Sequence, residues 1–541
     1  MSDAKKKQRL PYAGLCLILL QLIATIVSLV FVLKLNILPK RYLTIFVTFL
    51  VLSLVINTVL QFRRKLHVLG KVLSVIMIAL LIAACFYEYH TYKLLNKITA
   101  PVYDEDEYIV VVLKESKISE VSQLRDKSIA MCDKLNNEEA LKQVKKDIEK
   151  DLSRTNITYV MYDAVSYQVD ALLNKEVDAI VYNKSFADII NGALPDYEEK
   201  VSVIKEYKVK VLVASEIPVL EKKTTASTEP ATSDSTEATK PAEVETFNDD
   251  LDRESKYVYD PSRDPNAPAG GGYIGGDNTK DNSSKGPITN RSFNILIAGN
   301  DAYGSLAGRG RHDVNILMTV NPVTKTILLT NTPRDYYVPI PGVTYSGMRD
   351  KLTHAGIYGV WSSVATIQNV YNVDIDYYIR LNFTSFIMLV DAIGGVDVYS
   401  PYDFLSFKKG MNHIATGSRA LSFARERYSF GDGDNQRGRN QMALIEAILN
   451  KILSPAIITN YAQLVSTMSN AIQTNLTMDD ITSIARMQID NPASWNITSQ
   501  AVTGYGTYRE CYSMPGWSLY VMIPNQEAID GCRAKIESVL R

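Results

Sequence analysis

The chain has 541 residues, 46% of them hydrophobic, with 58 basic and 59 acidic side chains and a net charge of −1. So neutral a chain has no overall basic field to draw nucleic acid, and any binding must come from local clusters of charge. Five cysteines and five histidines stand in no CxxC or His-rich spacing, which leaves no zinc framework.

Three apolar runs come first, Leu10–Leu33, Leu43–Leu60 and Val72–Tyr89. Each comes near the roughly 20 residues that cross a bilayer. The first is too long for a signal-peptide core and no small-x-small cleavage site follows it, so retained anchors are expected. Lys5, Lys6, Lys7 and Arg9 precede the first run, and Arg63, Arg64, Lys65 and Lys71 separate the second from the third. Lys40 and Arg41, between the first two, weaken this contrast without reversing it. The positive-inside rule then leaves residues 1–9 in the cytoplasm, 10–90 in three spans and the remainder outside, a multi-pass membrane protein with extracellular C-terminal domains. Cys16 and Cys85 fall in spans, Cys132 stands alone, and Cys511 and Cys532 could pair in an oxidising compartment.

Residues 100–218 alternate between short apolar runs (YIVVVLK, SIAMCD, ITYVMYD, VDAIVYN) and helical ones (EEALKQVKKDIEKDL, VSYQVDALLNKE). That alternation predicts a small α/β unit with a largely parallel sheet. VDALLNKEVDAIVYN resembles a phrase of the solute-binding lobes of membrane transport systems. The unit lacks an acid and arginine pair for a ligand and reads as an accessory or interaction domain. Residues 219–290 are rich first in Thr, Ser, Glu, Pro and Ala, then in Pro, Gly and Asn. Such a composition buries no core and predicts a disordered linker.

From residue 291 to 541, FNILIAGND, RHDVNILMTVNP and KTILLTNTPRDYYVPIP read as strands. KLTHAGIYGVWSSVATIQNVYNV reads as a helix or helix pair, IDYYIRLNF as a strand, TSFIMLVDAIGG as a helix closed by glycines and VDVYSP as a strand. Helical runs and a final strand and helix follow. The pattern predicts a mixed central sheet with helices on both faces, an α/β/α layer fold.

Within this domain, ARERYSFGDGDNQRGRNQ (Ala424–Gln441) holds four arginines, three acids and three glycines but no lysine. Asp301 follows one predicted strand, and Arg311 and Asp313 precede the next. Two carboxylates brought together repel, and a divalent cation resolves that; magnesium binds through one or two carboxylates plus phosphate oxygens. Arg311, Arg334, Arg425, Arg427 and Arg437 would supply planar two-point donors, which suit phosphate better than lysine does. Each residue alone also has a plainer reading: Asp301 or Asp313 as a turn or cap, Arg425 and Arg427 paired with Glu426 and Asp432 on the surface, GDGD as a turn.

FNILIAGND, RHDVNILMTVNP, LLTNTPRDYYVPIP, KLTHAG, NFTSFIMLVDAIGGVDV and LSFARERYSFGDGDNQRGRNQ occur in this order. In these motifs residues 292–541 resemble the LytR-CpsA-Psr family, enzymes that attach anionic glycopolymers to peptidoglycan in Gram-positive bacteria. The three spans and the accessory domain resemble its capsule-type branch, although the long linker departs from it. The resemblance implies Asp301 and Asp313 as ligands of magnesium (or manganese), and Arg311, Arg334, Arg425 and Arg427 as catalytic. The same arginines with Arg437 and Gln441 would hold a lipid-linked pyrophosphate. Asp434 matches a semi-invariant acid. Asp301, Asp313 and Asp335 are candidate bases for the acceptor hydroxyl, although a metal-bound Asp301 or Asp313 would be a weak base, and His354 is a motif position read as packing a helix start. The family holds its polyprenyl tail in an apolar tunnel, which IMLVDAIGG and MALIEAILNKIL could line here.

The implied reaction moves a glycopolymer, a capsule or teichoic acid polymer, from undecaprenyl pyrophosphate to a peptidoglycan sugar hydroxyl, with undecaprenyl phosphate released. By family analogy the acceptor is the muramic acid 6-hydroxyl. The partners would be the lipid-linked glycan, peptidoglycan and membrane-embedded polymer assembly proteins, with no nucleic acid among them. The alternatives are hydrolysis of the same pyrophosphate, a non-catalytic sensor or scaffold for lipid-linked glycan, and transfer to a protein acceptor.

Overall fold

The computed structural model describes residues 12–63, 65–99, 103–132, 138–153, 158–212, 286–301, 306–344, 347–431, 433–454 and 461–541. The expected cytoplasmic segment 1–9, nearly all of the expected linker and the side chain of Asp434 lie outside the described residues.

Three helices long and apolar enough to cross a membrane open the chain: α1 (Tyr12–Leu35), α2 (Lys40–Phe62) and α3 (His67–Ile98). Mostly apolar, outward-facing side chains leave few polar groups to tie the helices together, and those few meet one another. Gln21 Nε2 donates to Ser53 (3.1 Å), Asn57 Nδ2 to Gln21 (2.9 Å), Gln61 Nε2 to Ser74 (2.8 Å) and Ser28 to Glu88 (2.8 Å). Interhelical hydrogen bonds of this kind hold bundles whose helices gain little from apolar contact in lipid.

The next unit comprises β1 (Tyr103–Leu113), β2 (Ile129–Cys132), α4 (Glu138–Asp151), β3 (Val160–Tyr162), α5 (Val165–Leu173), β4 (Ala179–Asn183), α6 (Ala187–Ala193) and β5 (Val201–Leu212). Its sheet runs β3-β2-β4-β1-β5. Only β3-β2-β4 is parallel; β1 is antiparallel to both β4 and β5. The expected largely parallel sheet is therefore mixed. The long YDEDEYIVVVL strand takes the hairpin-like partner β5, a pairing that no helix–strand alternation announces. One face buries α4; the other packs on the last strands of the chain, where Ser166 Oγ donates to the Pro515 carbonyl at 2.8 Å.

The C-terminal domain has β6 (Phe293–Asn300), β7 (His312–Asn321), β8 (Thr326–Asn331), α7 (Val360–Tyr371), β9 (Tyr377–Asn382) and α8 (Phe383–Ala392). Then come β10 (Val396–Ser400), β11 (Gly410–Ile414), α9 (Gly417–Arg425), α10 (Gly433–Ile452), α11 (Tyr461–Ala471), β12 (Gln473–Thr474) and α12 (Met478–Asp490). It ends with β13 (Asn496–Ala501), β14 (Gly504–Cys511), β15 (Met514–Pro524) and α13 (Gln526–Leu540). The central sheet is mixed, in the order β12-β9-β6-β7-β8-β13. Side chains alternate across it. Leu296, Ala298 and Leu317 meet α7 and α13, while Ile295, Ile297, Ile316 and Met318 meet α10 and α12. Helices thus cover both faces, as expected. The VDVYSP strand, β10, lies apart from this sheet in a ribbon with β11.

The two cysteines expected to pair are both free and buried. Cys511 ends β14 in the core shared with the preceding domain, and Cys532 faces α7 from α13 on one side of the central sheet. They belong to different hydrophobic cores, so closeness in sequence does not become closeness in space.

Candidate active site

Strand register creates the acidic pair. Asn300 at the end of β6 is paired with His312 at the start of β7, after a bulge at Gly299/Asn300, and with Asn382 at the end of β9. Asp301 and Asp313 each follow one of the first two partners directly. Twelve positions apart in sequence, they come to the same edge of the sheet and the same cavity. Burial and then the charge of Asp313 push the Asp301 carboxyl up, against the pull of Arg311. Burial would also raise Asp313, but Arg334, Arg311 and Arg437 together hold it below the ordinary range.

Arg334, just beyond β8, donates Nη1 to Asp313 Oδ2 at 2.6 Å, and Thr353 donates to Asp313 Oδ1 at 3.0 Å. Arg425 closes α9 with its guanidinium 4.6 Å from the Phe383 ring centre. Arg427 lies 4.7 Å from the Tyr428 ring centre and donates to a tyrosine hydroxyl, that of Tyr428, at 2.6 Å. Of the surface partners expected for these two arginines, Asp432 lies outside the described residues, and the Glu426 carboxylate accepts from the Ser429 amide at 2.7 Å. A guanidinium set over an aromatic ring leaves N–H groups for an anion, and Arg427 donates one of its own to the Tyr428 hydroxyl. Arg437 and Gln441 sit one turn apart on α10 and line the cavity with the others. Gly438 lets that helix approach: a Cβ there would stand 2.5 Å from the Asn331 side-chain nitrogen.

The cavity has a volume of about 400 Å³, within the range of small-molecule sites. Its mouth joins Asp301, Asp313, Arg334, Arg425, Arg427, Arg437 and Gln441. Beyond Gln441 its lining becomes apolar along α10, through Leu444, Ile448 and Ile452, to Met468 and Ile472. The IMLVDAIGG and MALIEAILNKIL stretches both contribute, through Leu389 and the α10 residues. Among the described residues, no group of three His, Cys, Asp or Glu could hold a metal ion.

Three expected residues stand elsewhere. Arg311 is outside the cavity lining and bridges Asp301 (3.1 Å) and Asp188 on α6 (3.0 Å). Asp335 turns to Lys351 (3.1 Å) and Arg334 (3.5 Å). His354 is buried, its Nδ1 2.6 Å from Asp350 and 3.1 Å from the Ser513 hydroxyl. Both partners sit on one ring nitrogen, an arrangement that fastens the 352–358 turn to the β14–β15 connection and does not activate the serine.

Sequence reading missed Asp104, Arg309 and Arg380. Arg380 on β9 is 1% exposed and donates to Asp104 on β1 at 2.6 Å, while Arg309 reaches the same carboxylate at 3.1 Å. The available signal was an arginine inside IDYYIRLNF and alternating acids in YDEDEY, both unusual in buried strands. Tyr428 and Phe383, the aromatic supports of the arginines, were also missed.

The LytR_cpsA_psr family model matches residues 273–526. The polyisoprenyl-teichoic acid–peptidoglycan teichoic acid transferase TagU of Bacillus cereus is 38% identical over 35% of this chain, which spans 61% of that protein's length. The TagU of Halalkalibacterium halodurans is 30% identical over 46% of this chain and 79% of its own. Among solved structures, B. subtilis TagV is 25% identical, covers 46% of this chain and 98% of its own, and has a TM-score of 0.40. The match to H. halodurans TagU covers more than two thirds of that protein, and the chain accordingly belongs to the LytR-CpsA-Psr family.

Proposed function

We propose that the C-terminal domain is a phosphotransferase that moves a glycopolymer from a polyprenyl pyrophosphate to a sugar hydroxyl of peptidoglycan. The observation that carries this reading is the two-part cavity: four arginines and two aspartates at the mouth, an apolar channel behind them. A lipid-linked pyrophosphate has the same two parts. The substrates named for TagU, a polyisoprenyl-linked teichoic acid and peptidoglycan, support the donor and acceptor classes.

In the reaction, the acceptor oxygen bonds to the sugar-side phosphorus. The bond from that phosphorus to the bridging oxygen breaks, and polyprenyl phosphate leaves with the bridging oxygen. Arg425 and Arg427, fixed on Phe383 and Tyr428, and Arg437 would meet the charge spreading over the phosphoryl oxygens. Most phosphoryl-transfer catalysis lies in such positioning and charge stabilisation. The hydroxyl proton leaves to a base at the mouth; Asp301, raised by burial and by Asp313, would serve only where it holds no metal, whereas Asp313 is tied to Arg334 and Thr353 and Asp335 is held by Lys351.

Asp301 and Asp313 fit a divalent cation of the magnesium type, which takes one or two carboxylates and completes its shell with phosphate oxygens and water. Burial first and the charge of Asp313 second raise Asp301, and such a cation would relieve that repulsion. Magnesium or manganese would there neutralise pyrophosphate charge. We read the spans as a multi-pass anchor with the catalytic domain on the external side. The polymer is a teichoic acid or capsule type, and polymer assembly proteins of the membrane are natural partners.

The test is a transfer assay with the full chain in detergent, a short glycan on polyprenyl pyrophosphate, and peptidoglycan oligomers. Metal-dependent glycan on the oligomer, lost in Asp301→Ala and Arg425→Ala, is the expected result. Free phospho-glycan without transfer would replace this reading with hydrolysis; bound donor without turnover would replace it with a sensor.

A further inference from the structure

Beyond the reaction, the structure bears on where the donor's lipid goes, an inference that rests on the lipid-pyrophosphate reading above. The cavity has a direction. From Arg437 to Ile452, helix α10 covers about 22 Å at 1.5 Å per residue, charged at one end and apolar at the other. A polyprenyl chain of about 55 carbons, extended, exceeds roughly 50 Å with C–C bonds near 1.5 Å. Half of such a chain must leave the cavity, and water is the costly place for it.

Met468 of α11 lines the far end of the cavity and also packs against Leu35, Leu95 and Ile98, at the ends of α1 and α3. Ile481 of α12 likewise joins the sheet-face core to these same anchor residues. Polar ties fix the contact at the rim. Arg41 at the start of α2 bonds Asp490 through its side chain (3.0 Å) and its carbonyl (2.6 Å), and Arg486 donates to the Asn36 carbonyl. The far end of the cavity is thus seated on the membrane anchor, with side chains of both in one apolar cluster.

We propose that the donor's tail leaves the cavity past Met468 and passes between α11 and the ends of α1 and α3 into the bilayer. The anchor is then part of the lipid-binding site and not only a tether.

The test uses the full chain in vesicles of phosphatidylglycerol and phosphatidylethanolamine, and two donors with the same glycan, one with a chain of about 55 carbons and one of about 10. Leu95→Trp narrows the proposed exit without touching the charged mouth. The ratio of kcat/KM for the long over the short donor should fall at least tenfold. A ratio equal to that of the unaltered chain would overturn the route, even if both rates drop through poorer folding. Independently of turnover, a long-chain polyprenyl pyrophosphate carrying a diazirine at its far end should label the peptides around Leu35 and Leu95. Labelling confined to the C-terminal domain or to α4–β5 would reject the exit. Failure of the unaltered chain to turn over either donor, with labelling at the anchor intact, would sink the transferase reading and leave the route standing.

Discussion

Asp188 Oδ2 lies 3.0 Å from Arg311 Nη2, the same nitrogen that meets Asp301 at 3.1 Å. The accessory domain therefore reaches, through one arginine, the acid at the mouth of the cavity. Asp188 is 66% exposed, so the pair is worth about 0.5–1 kcal/mol. Its negative charge also opposes a pyrophosphate nearby. Asp188→Asn should lower the donor KM about two- to fivefold with kcat little changed, and the effect should fade at high salt. Steady-state kinetics at two ionic strengths decide it; a KM that does not move would show that the contact is only structural.

A second contact between the domains is buried and should behave differently. Arg380 and Arg309 share Asp104, whose carboxyl burial would raise but which the two guanidinium groups, Arg380 foremost, hold below the ordinary range. Asp104→Asn leaves a buried guanidinium without its counter-charge and should cost about 3–5 kcal/mol. Thermal melts of the detergent-solubilised chain should show a large drop, whereas Asp188→Asn should lower the melting temperature by no more than about 2–3 °C.

Acid should loosen the turn held by Asp350. Burial by itself would raise that carboxyl, yet His354 and Ser513 keep it below the ordinary value. A depressed carboxylate adds stability above its unfolded value of about 3.9 and loses it as the pH falls through the folded one. Melts from pH 7 to pH 3 should therefore fall less steeply in Asp350→Asn than in the unaltered chain, from a lower starting point. Parallel curves would remove Asp350 from the acid response.

Gly438 offers a test of the α10 placement. A leucine there would collide with Asn331 and lift the first turns of α10, which carry Arg437 and Gln441, from the sheet. Transfer kcat/KM should fall about 100-fold, as it does when reacting groups shift by about 1 Å, with donor binding through the apolar channel largely kept. Equal loss of both would indicate general unfolding.

The cysteines give the simplest check. Cys511 and Cys532 should both be alkylated after denaturation without reductant, read by intact mass; a mass two hydrogens lower with no labelling would restore the disulfide.

Much of this protein was legible in its sequence because the signals are local. Three long apolar runs specify three helices wherever they are placed, and the strand and helix phrases from FNILIAGND onward specify an α/β/α domain through alternation and periodicity. The arginines of ARERYSFGDGDNQRGRNQ could be named because their types and spacing are chemical facts of the chain. What only the tertiary structure decided depends on pairing between distant segments. Register at Asn300 brings Asp301 and Asp313 to one edge, and different cores separate Cys511 from Cys532. Asp104 meets Arg380 across 276 positions, and Met468 packs on the cluster of Leu35, Leu95 and Ile98 where the cavity ends on the anchor. A side chain's own neighbours in sequence fix its helix or strand; its partner in space follows from packing and burial of the whole chain, which no local pattern records.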